Sequence, residues 1–312
     1  MKEYLHAIKK DAKGSLKGNW QTAIGLMLLP AVISGGVMSV MSIFGVIPIL
    51  GSLASIAATI GVYFISFPLD TGAKSWYFHL TYVERPPFNL LFSRFKKGLY
   101  GQSVGMNFAR LLYVYIYVLV PSIILGIFVG VFIVWGTIEN AFPTTFSSSF
   151  TTWQSLFIIV IFLLFYIAIV IFAVIVQLRY SIADYLCVRF PGMRPFAAVK
   201  KSAKLLKGKL WDVFSLNLNI FAPLYIVFII MLVSLFGFIF LLAGSRISNG
   251  YSDANFAAVW FIGFIGMLMF SCLGIIALSF YLTPIYEASL ARFARFTIEE
   301  DINNNQGINQ GA

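Results

Sequence analysis

Charge is what this sequence has least of: only 11% of its 312 residues are Asp, Glu, Lys or Arg, against about 25% in soluble globular domains. With 60% of residues hydrophobic and a mean hydropathy of +0.88, such a chain has too little polar surface to cover itself in water. Histidine and cysteine are nearly absent, with two of each. No Cys-x-x-Cys spacing exists, and Cys187 and Cys272 fall in a basic connection and in an apolar run. They belong at different depths, which argues against a disulfide. The sequence also lacks His-Glu-x-x-His, a phosphate loop and a Gly-x-Ser-x-Gly elbow. His6 and His79 lie outside the apolar runs. The reading is therefore of a chain that is not an enzyme, with no catalytic residue, no metal ligand and no cofactor.

What is present is organised by where charge is missing. No charged residue occurs in 18–69, 111–138, 140–178, 213–245 or 254–286. A membrane-spanning helix needs about 20 apolar residues. The first gap holds 52 residues, about 78 Å as a helix, so it must fold into two spans, with the turn at Gly45-Val46-Ile47-Pro48. The spans fall near 21–44, 49–69, 111–135, 153–177, 213–243 and 258–285, and none contains Asp, Glu, Lys, Arg or His. Ionisable groups inside a bilayer are costly and mark proton relays and ion sites, so their lack argues against ion-coupled chemistry. The fold class is all-α, a polytopic bundle with one membrane domain over 1–293. The polar stretch 294–312 reads as a disordered tail.

Orientation follows from lysine and arginine. Of the 22 such residues, 21 lie in the N-terminal segment, the connections after spans two and four, and the tail. Arg246 alone lies on the other side. Both termini are expected in the cytoplasm. The basic start followed by an apolar run is too long for a signal-peptide core of about 7–15 residues. The net charge of +10 sits between apolar runs, a placement that suits anionic lipid headgroups and not nucleic acid.

Two basic segments resemble each other: Lys9-Lys10-Asp11-Ala12-Lys13-Gly14-Ser15-Leu16-Lys17-Gly18-Asn19-Trp20 and Lys200-Lys201-Ser202-Ala203-Lys204-Leu205-Leu206-Lys207-Gly208-Lys209-Leu210-Trp211. A fainter copy is Phe95-Lys96-Lys97-Gly98-Leu99-Tyr100. Each precedes an odd-numbered span. Apolar residues recur at helical steps in all three: Leu5, Ile8, Ala12 and Leu16; Phe88, Leu91 and Phe95; and Phe196, Val199, Ala203, Leu206 and Leu210. Pro195 suits a helix start. Such basic amphipathic helices lie in a membrane interface, stripe down. The alternative is that they only begin the next span. The candidate lipid contacts are Lys9, Lys10, Lys13, Lys17 and Trp20 in the first copy and Lys96 and Lys97 in the second. In the third they are Lys200, Lys201, Lys204, Lys207 and Trp211. The pattern suggests three parallel two-span repeats. Their exits also look alike, Ser66-Phe67-Pro68-Leu69-Asp70 beside Ser279-Phe280-Tyr281 with Glu287, and Asp184 after span four.

The opening Ala12-Lys13…Leu16-Lys17-Gly18-Asn19-Trp20, the stretch Leu91-Phe92-Ser93-Arg94-Phe95, the pair Ala183-Asp184 and the run Ser202-Ala203-Lys204-Leu205-Leu206-Lys207-Gly208 stand in the order of a known family. The chain resembles an uncharacterised bacterial integral membrane family, domain of unknown function number 975. Glu84-Arg85-Pro86-Pro87 departs from that family's usual turn. The resemblance implies a multi-pass protein of the bacterial cytoplasmic membrane and carries over no catalytic residue.

Small residues at Gly126 and Gly130, and at Gly51, Ala54, Ser55 and Ala58, make faces for helix packing. Pro30, Pro121 and Pro223 each lie 11–13 residues past the last charge before an odd span. Each should release the carbonyl four residues earlier, at Leu26, Tyr117 and Asn219. Broken helices at mid-membrane build binding sites in some transporters, or are packing kinks compensated by neighbours. Pro30, Pro121, Pro223 and Asn219 are thus a second candidate site. The favoured function is membrane-organising, regulatory or partner-binding, with the bilayer, its anionic headgroups and a membrane protein as partners. The rival is a permease or exporter of a small or amphiphilic molecule.

Overall fold

The structure, a computed structural model, describes residues 2–43, 48–141, 152–247 and 254–310. These residues form α1 (Lys2–Leu16), α2 (Trp20–Ser42), α3 (Pro48–His79), a 3₁₀ helix (Phe88–Phe95), α4 (Leu99–Ala141), α5 (Thr152–Arg179), α6 (Ala183–Arg189), α7 (Pro195–Leu205), α8 (Leu210–Ile247) and α9 (Ala254–Gln310). No strand occurs among them. Six helices are long and apolar enough to cross a membrane: α2, α3, α4, α5, α8 and α9. The expected turn at 45–48 falls largely outside the described residues, as do the connections at 142–151 and 248–253.

The three basic segments share one turn. Gly18, Gly98 and Gly208 have φ of 86°, 90° and 90°, and no other described residue has a positive φ. Across each glycine the next residue's N–H donates to the carbonyl two residues before it: Asn19 to Leu16 at 2.9 Å, Leu99 to Lys96 at 3.1 Å and Lys209 to Leu206 at 3.0 Å. A side chain in the left-handed region costs about 1–2 kcal/mol, so glycine is required where each helix must stop and the next begin.

The chain divides into two compact units, 1–93 with 211–312, and 94–210, where the sequence suggested one membrane domain. In the first unit α1 packs along α9. Its stripe Leu5, Ile8, Ala12 and Leu16 is buried, Tyr4 lies 5.5 Å from Phe296, and Arg292 pairs with Asp11 at 3.7 Å. The face expected to rest on lipid is thus covered by the chain's own last helix. The expectation of a disordered tail from 294 is also corrected: α9 is helical to Gln310. Ala294, Thr297 and Ile298 are buried in step with its inner face. Arg295 donates to Thr81 O at 2.6 Å and to Glu299 at 2.9 Å, lies 3.8 Å from the Tyr82 ring centre, and Tyr82 donates to Glu299 at 3.1 Å. The link 80–87 is anchored further by Asn19 on Glu84 O and by buried Trp76 on Pro86 O. At Gly72 an added Cβ would overlap the Leu91 carbonyl, so α3 needs glycine there.

The middle segment differs from expectation in kind. It is a 3₁₀ helix, with three residues per turn. Leu91 and Arg94, three residues apart, are both buried, while Phe88, Phe92 and Phe95 are exposed. In the second unit α4 packs on α5, α6 and α7, with Gly105 admitting the Pro195 ring. Gln102 donates to Met193 O at 2.9 Å and Ser202 to Arg179 O at 3.2 Å. α7 buries Ala198, Val199, Ser202 and Leu206, leaving Phe196 exposed. Its buried face is rotated by about one residue from the predicted stripe. Gly126 and Gly130, read as packing positions, meet no neighbour within 4 Å among the described residues.

Candidate functional site

Among the described residues, the charged side chains that enter the packed interior cluster in two places. In the second unit Asp184, on α6, is fully buried and accepts from Arg110 of α4 at 2.6 Å. The same guanidinium donates to Asn107 Oδ1 at 2.8 Å, and Asn107 donates to Ser103 O at 3.2 Å. Arg94 is 4% exposed and close enough to feel the Asp184 charge. Burial pushes its pKa down, against the opposing pull of Cys187 and Asp184. A buried carboxylate is tolerable only when paired, and here two arginines serve one aspartate. The group reads as a structural clasp between α4 and α6.

The second cluster lines a cavity of about 400 Å³ in the first unit, walled by α2, α3 and α9. Its polar wall is Ser34, Ser66, Asp70, Lys74, Tyr77, Thr283 and Glu287. Lys74 donates to Asp70 at 2.9 Å, one helical turn away on α3. Ser34 and Ser66 share a hydrogen bond of 3.0 Å, and Ser34 also donates to Pro30 O at 2.7 Å. Tyr77 is 2% exposed, and its hydroxyl has no hydrogen-bond partner. Sequence reasoning did not assign these residues to a site. The available signal was positional: Asp70 and Glu287 are the first charges after the apolar runs 18–69 and 254–286.

The sequence candidates divide. Of the prolines, Pro30 and the Leu26 it is expected to free both line the cavity. Pro223 is exposed, and the carbonyl it releases, Asn219 O, accepts from Lys9 Nζ at 3.1 Å. Asn219 Oδ1 accepts from the same ammonium at 3.0 Å. Burial and the neighbouring Lys13 charge lower the Lys9 pKa. Pro121 lies in α4, in the other unit. Of the basic positions, Lys10, Lys13, Lys17, Lys96, Lys97, Lys200, Lys204 and Lys207 are exposed. Lys201 lies 5.5 Å from the Phe190 ring centre. The two aligned tryptophans differ: Trp20 stacks on Tyr281 at 5.5 Å, whereas Trp211 is 70% exposed.

One protein-family model matches residues 1–293. The chain belongs to DUF975. That family is described as a protein of unknown function, so membership assigns neither cluster a role. No curated protein and no solved structure matches this DUF975 chain.

Proposed function

We propose that this DUF975 member is a non-catalytic protein of the bacterial cytoplasmic membrane, with both termini inside, that gathers anionic phospholipid headgroups at its basic segments and so organises lipid or a membrane-protein partner there. The observation that carries the reading is the α7 surface. Lys200, Lys204 and Lys207 are exposed, as is Phe196 at the start of the same helix. A row of exposed ammonium groups suits a headgroup layer, where each basic residue near an anionic leaflet contributes about 1 kcal/mol. The first copy supports it less, because α9 already covers the apolar face of α1 and Lys9 is held by Asn219.

The experiment is lipid retention. The full chain is extracted in mild detergent, and its bound phosphatidylglycerol and phosphatidylcholine are quantified. The native chain should retain the anionic lipid selectively, and a Lys200→Gln, Lys204→Gln, Lys207→Gln variant should lose most of that selectivity. Equal retention of both lipids by the native chain would remove the reading. A second reading, a permease for a small or amphiphilic molecule, is favoured by the polar-walled cavity with Pro30 on its lining. Counterflow of a loaded solute in vesicles, lost in Pro30→Ala, would support it over the first.

A further inference from the structure

The α2–α3–α9 cavity follows the pairing of α2 with α3. Ser34 and Ser66 share a hydrogen bond. Steps of four in opposite directions from it, back along α2 and forward along α3, give Pro30 with Asp70 and Leu26 with Lys74, and all six residues line the cavity. Its volume, about 400 Å³, falls in the range of small-molecule sites, roughly 300–1,000 Å³. The charges on its wall are already engaged. Lys74 pairs with Asp70 at 2.9 Å, the Asp70 side chain is 43% exposed to solvent, and Glu287 interacts with other groups of the protein. A charged ligand would have to break into these interactions, and separating a paired charge is costly. The unfilled capacity lies in hydroxyls. A hydroxyl has one proton and two lone pairs. Ser34 donates its proton to Pro30 O at 2.7 Å, so in its 3.0 Å contact with Ser66 the donor is Ser66. No described residue donates to Ser66 Oγ in turn. The Tyr77 hydroxyl has no partner among the described residues either, although buried tyrosine hydroxyls normally find one. Ser66 and Tyr77 stand 11 residues apart on α3, about 16 Å along its axis. A helical tyrosine leans toward the helix N-terminus, which here is toward Ser66.

We propose that this cavity binds an uncharged, elongated molecule with a hydroxyl group at each end and an apolar body between them. At one end the ligand donates to Ser66 Oγ, and at the other it accepts from the Tyr77 hydroxyl. Leu26, Met27 and Ala31 of α2 supply the apolar wall along its body. A ligand with a single hydroxyl would leave one end unmatched. An ammonium or a carboxylate would have to compete for the Lys74–Asp70 pair. The site deepens the permease reading by naming a class of solute, and it rests on that reading only in sharing the cavity. Binding is measured apart from transport, so either can fail alone.

The full chain is placed in nanodiscs of phosphatidylcholine alone, which removes anionic headgroups. It is titrated calorimetrically at neutral pH with octane-1,8-diol, octan-1-ol, octylammonium and octanoate, and the heats into empty nanodiscs are subtracted. The diol should bind saturably at one site per chain. Octan-1-ol should bind about twofold to tenfold more weakly, the range of one neutral hydrogen bond, and the two ions should not saturate. Ser66→Ala and Tyr77→Phe should each weaken the diol by a similar factor. In Tyr77→Phe, which removes only the hydroxyl oxygen, the preference for the diol over octan-1-ol should also disappear, a change that a merely structural effect would not produce. Lys200→Gln, Lys204→Gln, Lys207→Gln should leave the diol affinity unchanged, which separates this site from the lipid surface. Saturable binding of the diol without its counterflow in vesicles would remove the permease reading and leave the site standing. No saturable binding of the diol, either ion binding as tightly, or unchanged diol affinity in the folded Ser66→Ala and Tyr77→Phe variants overturns the proposal.

Discussion

Asp184→Asn should be among the most damaging single substitutions in the second unit, although it changes neither size nor shape. The native carboxylate is fully buried and accepts from Arg110 at 2.6 Å, with Arg94 also buried and in range of its charge. The amide removes the negative charge that Arg110 pairs with and that Arg94 feels. Breaking one side of a buried pair costs about 3–5 kcal/mol. Arg110 keeps 22% of its side chain exposed, and water there relieves part of the loss, so the lower end of that range applies. Against a total stability of about 5–15 kcal/mol this is a large fraction. At about 2–4 °C per kcal/mol the melting point should fall by roughly 6–12 °C. The assay is thermal unfolding of detergent-solubilised protein followed by size-exclusion fluorescence. A double-mutant cycle with Arg110→Met sharpens it, because the two losses should not add: coupling of about 0.5–3 kcal/mol is typical of contacting residues. A melting point within 1 °C of native for Asp184→Asn, or strict additivity in the cycle, would refute the clasp.

Gly72→Ala should destabilise the first unit by about 1–3 kcal/mol, since its Cβ would overlap the Leu91 carbonyl; Gly61→Ala on the same helix, which meets nothing within 4 Å, should be neutral or stabilising in the same thermal assay. Gly18→Ala, Gly98→Ala and Gly208→Ala should each cost about 1–2 kcal/mol, with similar melting shifts, because the three turns share one φ; widely different shifts would argue against a common turn. Arg295→Met should release the link 80–83 from α9, seen as faster proteolytic cleavage there; an unchanged cleavage rate would mean that Asn19 and Trp76 suffice. In a background with Cys187 and Cys272 replaced, cysteines at Ser148 and Asn249 should react with an impermeant thiol reagent on intact cells, and cysteines at Ser15 and Ser202 should not; the reverse pattern would invert the membrane orientation.

The spans were legible in the sequence because hydropathy records a solvent, and a run without charge such as 18–69 has few environments open to it. The covering of α1 by α9 was not legible. Burying a Leu or Ile is worth about 1.5–3 kcal/mol, and the same stripe of Leu5, Ile8 and Leu16 can be satisfied by hydrocarbon or by protein. The helical tail was hidden for a related reason. Its asparagine-rich end looks solvated, while the residues that hold it, Arg295 and Glu299, act on Thr81 and Tyr82, more than 200 positions away in the chain. The cavity was half visible. Pro30 stood out by its depth, but its partners Asp70 and Glu287 read as span ends, and only the packing of α2, α3 and α9 puts them on one wall. The glycines of the three basic segments were legible as a repeat of letters, and their common φ gives that repeat a conformational meaning.

The length of α9 has a mechanical consequence. Its 57 residues make a rod of about 86 Å, part of it apolar enough to lie in a bilayer and part clamped to the link at 80–83. A continuous helix is stiff along its axis, and its weak point is where a backbone hydrogen bond is missing. In α9 that point is Pro284, between Thr283 and Glu287, both of which line the cavity. A tilt of either arm would therefore be taken up beside the cavity wall. Spin labels at the exposed positions Met269 and Phe296, one on each arm, would read that angle directly.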